Sequence, residues 1–243
     1  MIDKLRRWKR KQEFNPDILG LFINPFYFAR QGLYKNISKY APAMSGKVLD
    51  VGCGQKPYEH LFKTTSYTGM DIEQSGHSHE QENIDVFYDG KTFPFENESF
   101  DNIITNQVFE HVFNPTEFLS EIHRVLKPEG NLLLTVPFVW DEHEQPYDFA
   151  RYSSFGIRHV LEAHGFQIIS LTKSVNDSRV VFQLWILFIY KKVITQNRWL
   201  NKIIIFFLIS PVTIAGLIIA KILPSNADLY LDNIVLAKKV RLK

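Results

Sequence analysis

An apolar run, Lys47-Val48-Leu49, breaks into Asp50-Val51-Gly52-Cys53-Gly54. A buried parallel strand that ends in Asp-x-Gly-x-Gly can take positive φ and approach a nucleotide-like ligand with no Cβ in the way. Tyr67-Thr68-Gly69-Met70-Asp71 ends in an acid, with Ile72 beside it, about 20 residues later. That is the spacing of a carboxylate that accepts ribose hydroxyls. Two strand ends and one acid predict a site for an adenosine-type cofactor. A dinucleotide would need a third glycine to seat its pyrophosphate, but Gly54 is followed by Gln55, Lys56, Pro57 and Tyr58, which disfavours NAD. S-adenosylmethionine (SAM), with a ribose, an adenine, a charged amino-acid tail and no phosphate, suits the pattern better. Cys53 lies inside the turn and reads as a small turn residue rather than a nucleophile.

A second cluster could supply acid–base chemistry. Trp140-Asp141-Glu142-His143-Glu144-Gln145-Pro146-Tyr147-Asp148-Phe149-Ala150-Arg151-Tyr152 crowds acids, a His, two Tyr and an Arg into one segment. Group transfer to a hydroxyl needs a positioned acceptor and a group to remove its proton. His143 is the candidate base, since imidazole titrates near neutrality, with Glu142 or Glu144 able to orient it. Tyr147, Arg151 and Tyr152 could bind a polar substrate. The competing reading is a solvated acidic loop with an incidental His. No metal site is expected.

These residues need a scaffold. Asp85–Tyr88, Phe100–Thr105, Asn131–Val136, Gln167–Leu171 and Leu229–Ala237 read as short apolar strands. Pro115–Leu126 carries Phe118, Leu119, Ile122, Val125 and Leu126 at helical spacing, and Lys127-Pro128-Glu129-Gly130 should stop the helix and turn the chain. Ser153–His164 reads as another helix, stopped by Gly165. Such alternation predicts a parallel sheet covered on both faces, with ligands at the carboxyl ends of its strands. The 243 residues suffice for one α/β domain with an appendage. The net charge of +2 gives no electrostatic case for nucleic acid, and the single cysteine excludes an internal disulfide framework. No apolar segment follows the basic run Lys4–Lys11, so no signal peptide is expected.

On these residues the chain resembles the class I SAM-dependent methyltransferases. Asp50, Gly52 and Gly54 match their first motif, (E/D)-x-G-x-G-x-G, and Lys56 departs from its third glycine. Asp89-Gly90-Lys91-Thr92-Phe93-Pro94-Phe95 is similar to the segment after their third strand, whose acid lies near the adenine amino group. On its own residues Asp89 reads equally as a turn former. Phe100–Ile104, Asn106-Gln107 and Phe109-Glu110-His111-Val112 resemble the fourth-strand motif and the turn that closes over SAM. Leu126–Leu132 resembles the turn before the fifth strand. Asp50, Gly52, Cys53, Gly54, Asp71, Ile72, Asp89, Gly90, Asn106, Gln107 and His111 are therefore the expected cofactor contacts. The loop from Glu142 to Tyr152 resembles an EHE-x-PYDF-x-R(Y/F) element of a bacterial methyltransferase subgroup linked to envelope glycan synthesis. The resemblance implies a Rossmann-like, doubly wound, mostly parallel seven-stranded sheet.

The apolar C-terminal part stands apart. Ile203–Ala220 holds 18 residues without a charge, enough for a membrane-span candidate. Leu229–Ala237 must return to the sheet, which argues against a single span. Val180–Tyr190 is too short to complete a hairpin. Pro211 should kink the longer helix. The expectation is a helical insert, 179–224, lying in one leaflet with basic residues at the headgroups; the competing reading is a helical subdomain that packs on the sheet or forms a dimer. It sits within a methyltransferase domain, 46–238, preceded by a basic helical lead-in, 1–45. The expected activity is O-methylation of an envelope glycan or lipid-linked intermediate at the cytoplasmic membrane face. The alternatives are a small lipophilic acceptor of quinone or fatty-acid type, or a non-catalytic SAM-binding membrane partner.

Overall fold

The computed structural model describes residues 2–73 and 83–241. It divides into two compact units, 36–138 with 142–172 and 232–243, and 1–35 with 139–141 and 173–231.

The first unit is built on a seven-stranded sheet of order β3-β2-β1-β4-β5-β7-β6. Its strands are β1 (Gly46–Val51), β2 (Thr64–Ile72), β3 (Val86–Tyr88), β4 (Phe100–Asn106), β5 (Leu126–Pro137), β6 (Phe166–Ser174) and β7 (Asp232–Lys239). β1 pairs in parallel with β2 and β4, β2 with β3, and β4 with β5, while β7 runs antiparallel to β5. This is the predicted doubly wound, mostly parallel sheet. Leu49, Val51, Ile103, Leu132 and Leu134 are fully buried, as strands covered on both faces require.

The helices follow their sequence signals. α3 (Pro115–Val125) starts with Pro at its first turn and buries Phe118, Leu119, Ile122 and Val125. α4 (Ser154–Ala163) is capped by Ser153, whose hydroxyl accepts from the Gly156 N–H, and Gly165 ends it at φ +80°. The expected turn at Lys127–Gly130 takes a different form. The β4–β5 register runs from Phe100 opposite Leu126 to Asn102 opposite Asn131, so four residues of β5 loop out, with Glu129 at φ +64°. β7 begins three residues later than predicted, because Leu231 belongs to the core of the other unit and donates its N–H to Ser174 O.

The second unit joins α1 (Ile2–Phe14), the start of α2 (Tyr27–Tyr40), α5 (Arg179–Val193), α6 (Arg198–Ile204) and α7 (Ser210–Ile219). The lead-in and the insert, read separately in the sequence, share one core of Leu21, Phe28, Val180, Ile186, Ile209 and Leu231. Buried Gln183 ties them together: its amide donates to Pro25 O at 2.9 Å and accepts from Ala29 N. α6 and α7 belong to one helical run, Arg198–Ile219, long and apolar enough to cross a membrane by length and composition. The strain of Pro211 is met by a π turn at Ile205–Ile209, and Ser210 Oγ donates to Ile205 O.

Candidate active site

The cofactor edge forms where β1 and β2 end. Gly52 takes φ +72°, and a Cβ there would stand 2.2 Å from Val108 Cγ2, so only glycine fits. Asp71 is buried, and its carboxylate accepts from Gly54 N at 3.0 Å and Ile72 N at 2.9 Å. Asp71, at the end of β2, thus fixes the glycine turn. Asp50 is buried beside it and accepts from the Tyr67 hydroxyl at 2.7 Å. Burial pushes its carboxyl up to about 7, and the Tyr67 hydrogen bond offsets only part of this. Cys53 is buried and burial pushes its thiol up, which fits a turn residue and not a nucleophile.

Lys56, the departure from the third glycine, has a structural reason. It adopts a left-handed φ of +50°, as a glycine would. Its stem passes over Gly69, where a Cβ would stand 2.2 Å from Lys56 Cε, and its ammonium meets Asp85 Oδ2 at 2.5 Å. Asp85 also accepts from Gly69 N. Neither Asp85 nor Tyr67 was singled out in the sequence, because Lys56 lies 29 residues from Asp85 and Asp50 lies 17 from Tyr67. Asp89 is exposed and accepts from the N–H groups of Lys91 and Thr92, a local turn, with Gly90 next to it at φ +80°. Asn106 and Gln107 close the end of β4: Thr135 Oγ1 donates to Asn106 Oδ1 and accepts from Gln107 N. A glycine turn of positive φ, a buried acid at the end of β2 and no phosphate seat fit SAM. Asp71 and Gly54 would hold its ribose side and Asp50 would face its cationic tail.

The acceptor edge forms where β4 and β5 end. The 3-10 turn Phe109–His111 follows β4, and the loop after β5 is stitched to it: Phe149 N and Ala150 N both donate to Glu110 O. This brings His111 and His143 together, with ring centroids 4.7 Å apart. His111 Nδ1 lies 2.8 Å from Tyr147 O, while its Nε2 is 3.8 Å from Glu144 and 3.9 Å from Glu110. His143 was expected to be oriented by Glu142 or Glu144. Instead its Nδ1 lies 3.3 Å from Asp148 Oδ2, and Asp148 also accepts from the His143 N–H. Glu142 accepts from the Gln145 side chain. Arg151 forms a two-pronged pair with Asp148, at 2.5 and 2.6 Å, so its guanidinium is engaged with the loop itself. Burial would raise the Asp148 carboxyl, but these bonds and the Arg151 charge hold it down to about 2. Tyr147 is exposed, as a substrate contact requires. The Tyr152 ring packs on Phe109 at 5.1 Å, at the margin of the core.

Asp148 and Glu110 are the site residues that the sequence reading missed. The Asp148-x-x-Arg151 spacing was a signal for the first. Glu110 is fully buried, and burial pushes its carboxyl up to about 8, with its own amide and Arg151 offsetting only part. Only the fold reveals that burial.

The methyltransferase-domain family matches residues 26–171, more than half of the chain. The chain belongs to that family, whose methyl donor is SAM. It is similar to phthiotriol/phenolphthiotriol dimycocerosates methyltransferase 1 of Mycobacterium ulcerans, with 32% identity over 113 residues, 42% of each protein. It is 30% identical over 114 residues to a fatty-acid O-methyltransferase of Mycolicibacterium smegmatis, 42% of this chain and 41% of that protein. The chain thus covers less than half the length of these relatives. Phosphoethanolamine N-methyltransferase 2 of Haemonchus contortus, solved in complex with S-adenosyl-L-methionine, shares the fold at a TM-score of 0.51 and 18% identity. That alignment covers 91% of this chain and 55% of the other.

Proposed function

We propose that this protein transfers a methyl group from SAM to a hydroxyl of a lipid-linked or envelope glycan intermediate at the cytoplasmic face of a membrane. The observation that carries the reading is the His143–Asp148–Arg151 cluster at the strand ends next to β4. SAM, when bound, supplies an electrophilic methyl on a positively charged sulfur. The chain's own residues supply the rest. Asp148 holds His143 through Nδ1, which leaves Nε2 to take the hydroxyl proton, and Arg151 fixes Asp148. Exposed Tyr147 and Glu144 offer polar contacts to an acceptor.

A lipophilic carrier is supported by the second unit. Trp185, Phe188, Trp199, Phe206, Phe207 and Ile222 are all exposed there, more large apolar surface than a water-facing domain needs. Lys191, Lys192, Arg198, Lys202 and Lys221 lie in the same segment and suit anionic headgroups. Two relatives are named for lipid substrates, which keeps a small lipophilic acceptor of fatty-acid type as the second reading.

The test is methyl transfer from labelled SAM to extracted membrane lipids, followed by mass spectrometry. One glycolipid should gain a methyl with the wild type and not with His143→Ala, whose turnover should fall on the order of 10²–10⁴ at retained SAM affinity. Label in free fatty acid instead would favour the second reading. SAM binding with no transfer to any lipid or glycan would leave a non-catalytic partner protein.

A further inference from the structure

We propose that Glu110, His111 and His143 bind one divalent first-row transition ion. These three offer one ligand atom each, all within 4.8 Å of one another. The strongest sign is Glu110. Its side chain is fully buried, and neither carboxylate oxygen has a hydrogen-bond partner among the described residues. A buried carboxylate left this way is costly unless a cation meets it.

The two rings are prepared in the same sense. His111 Nδ1 is held by the Tyr147 carbonyl, and His143 Nδ1 by Asp148. In metal sites the second ring nitrogen of a ligating His is held by a carbonyl or carboxylate in this manner, which fixes the tautomer and aims Nε2 at the ion. His111 Nε2 then confronts two carboxylates, Glu110 at 3.9 Å and Glu144 at 3.8 Å. These separations are too long for hydrogen bonds. They exceed by a few tenths of an ångström the ~3.4 Å between ligand atoms of a tetrahedral ion with bonds of about 2.0–2.1 Å. Two imidazoles with carboxylates suit zinc, iron, cobalt or nickel rather than magnesium or calcium. The rings are partly exposed while Glu110 is buried, so the ion would be open on its solvent side.

Ion binding stands independently of the methyl-transfer reading, whereas its role toward an acceptor rests on that reading. A bound ion would take up the His143 nitrogen, so His143 would hold the ion instead of acting as the base, and the ion would supply the acidification of the acceptor hydroxyl.

The test uses the full chain stripped with a chelator and titrated with zinc by calorimetry and with cobalt(II) by visible absorption. The wild type should take up one equivalent of each. Glu110→Gln and His143→Gln should each weaken binding at least about tenfold, while His159→Ala, an exposed His outside the cluster, should bind as the wild type does. His143 is on the surface side, so its variant remains informative if Glu110→Gln fails to fold. No uptake by the wild type, or equal uptake by the folded variants, overturns the site. SAM titration of the same samples separates the two readings: zinc without SAM binding sinks the cofactor assignment only, and SAM without zinc sinks the ion site only.

Discussion

The Asp71 carboxylate already accepts two backbone N–H groups of the glycine turn. Asp71→Ala would orphan both donors and confuse folding with binding, so Asp71→Asn is the cleaner probe. It keeps an acceptor and removes the charge that strengthens bonds to ribose hydroxyls. Asn keeps one of the two acceptor oxygens and sets an NH2 against the other backbone donor, so the melting temperature should fall modestly while SAM affinity falls at least about tenfold. Calorimetry showing equal affinity would remove Asp71 from the cofactor site. Asp50 predicts a pH effect. Burial pushes its carboxyl in the folded protein up to about 7, well above the ordinary carboxylate range. A raised carboxyl favours the fold fully below about 4, and that contribution is lost as pH rises to about 7. Asp50→Asn can still accept from Tyr67 and carries no charge to bury. Its stability relative to the wild type should therefore be level near pH 4 and higher near pH 8, by on the order of a few kcal/mol. Thermal melts at the two pH values check this, and a pH-independent difference would refute it.

The elements of the acceptor edge are held by ties between neighbouring loops. Glu110 O receives two N–H bonds from the β5 loop, and the Asp148–Arg151 pair closes that loop on itself. Asp148 keeps only 4% of its side chain exposed, so removal of its cation leaves a nearly buried charge. Arg151→Ala should cost about 3–5 kcal/mol, the usual penalty for breaking such a pair, and His143 should lose its fixed orientation. Arg151→Lys should recover part of the stability, since a point charge cannot reproduce two parallel bonds. Urea unfolding measures the cost, and a loss under about 1 kcal/mol would show the pair to be no more than a surface contact.

Across the whole molecule, one chain carries a sheet unit with a polar site and a helical unit with an exposed apolar surface. Phe206, Phe207 and Leu208 are 49%, 72% and 43% exposed, so their replacement by Ser should not unfold the unit. If they enter a leaflet, each well-buried side chain contributes about 1.5–3 kcal/mol, and basic residues add roughly 1 kcal/mol each on anionic lipid. The protein should cosediment with anionic liposomes, less with neutral ones, and high salt should weaken but not abolish binding. The triple Ser variant should be released while SAM affinity is kept. A wild type that stays in solution as a dimer buried through these residues would make the unit an oligomerisation element.

Local rules written in the sequence determined the strands, helices and cofactor turn. Positive-φ glycines, Ser153 at an N-cap, Pro115 at a first turn and the Asp50–Asp71 spacing each act within a few residues or one step from a strand to the next. The residues above that scale came only from tertiary structure. Asp85 under Lys56, Tyr67 on Asp50 and Asp148 in place of Glu142 or Glu144 are partners chosen by distance in space. The burial of Glu110, which raises its carboxyl and leaves both oxygens without a hydrogen-bond partner beside His111, depends on a loop after β5 folding onto a turn after β4. The union of the lead-in with the apolar insert has the same origin. Which apolar face covers which is settled by packing the whole chain, not by any local pattern.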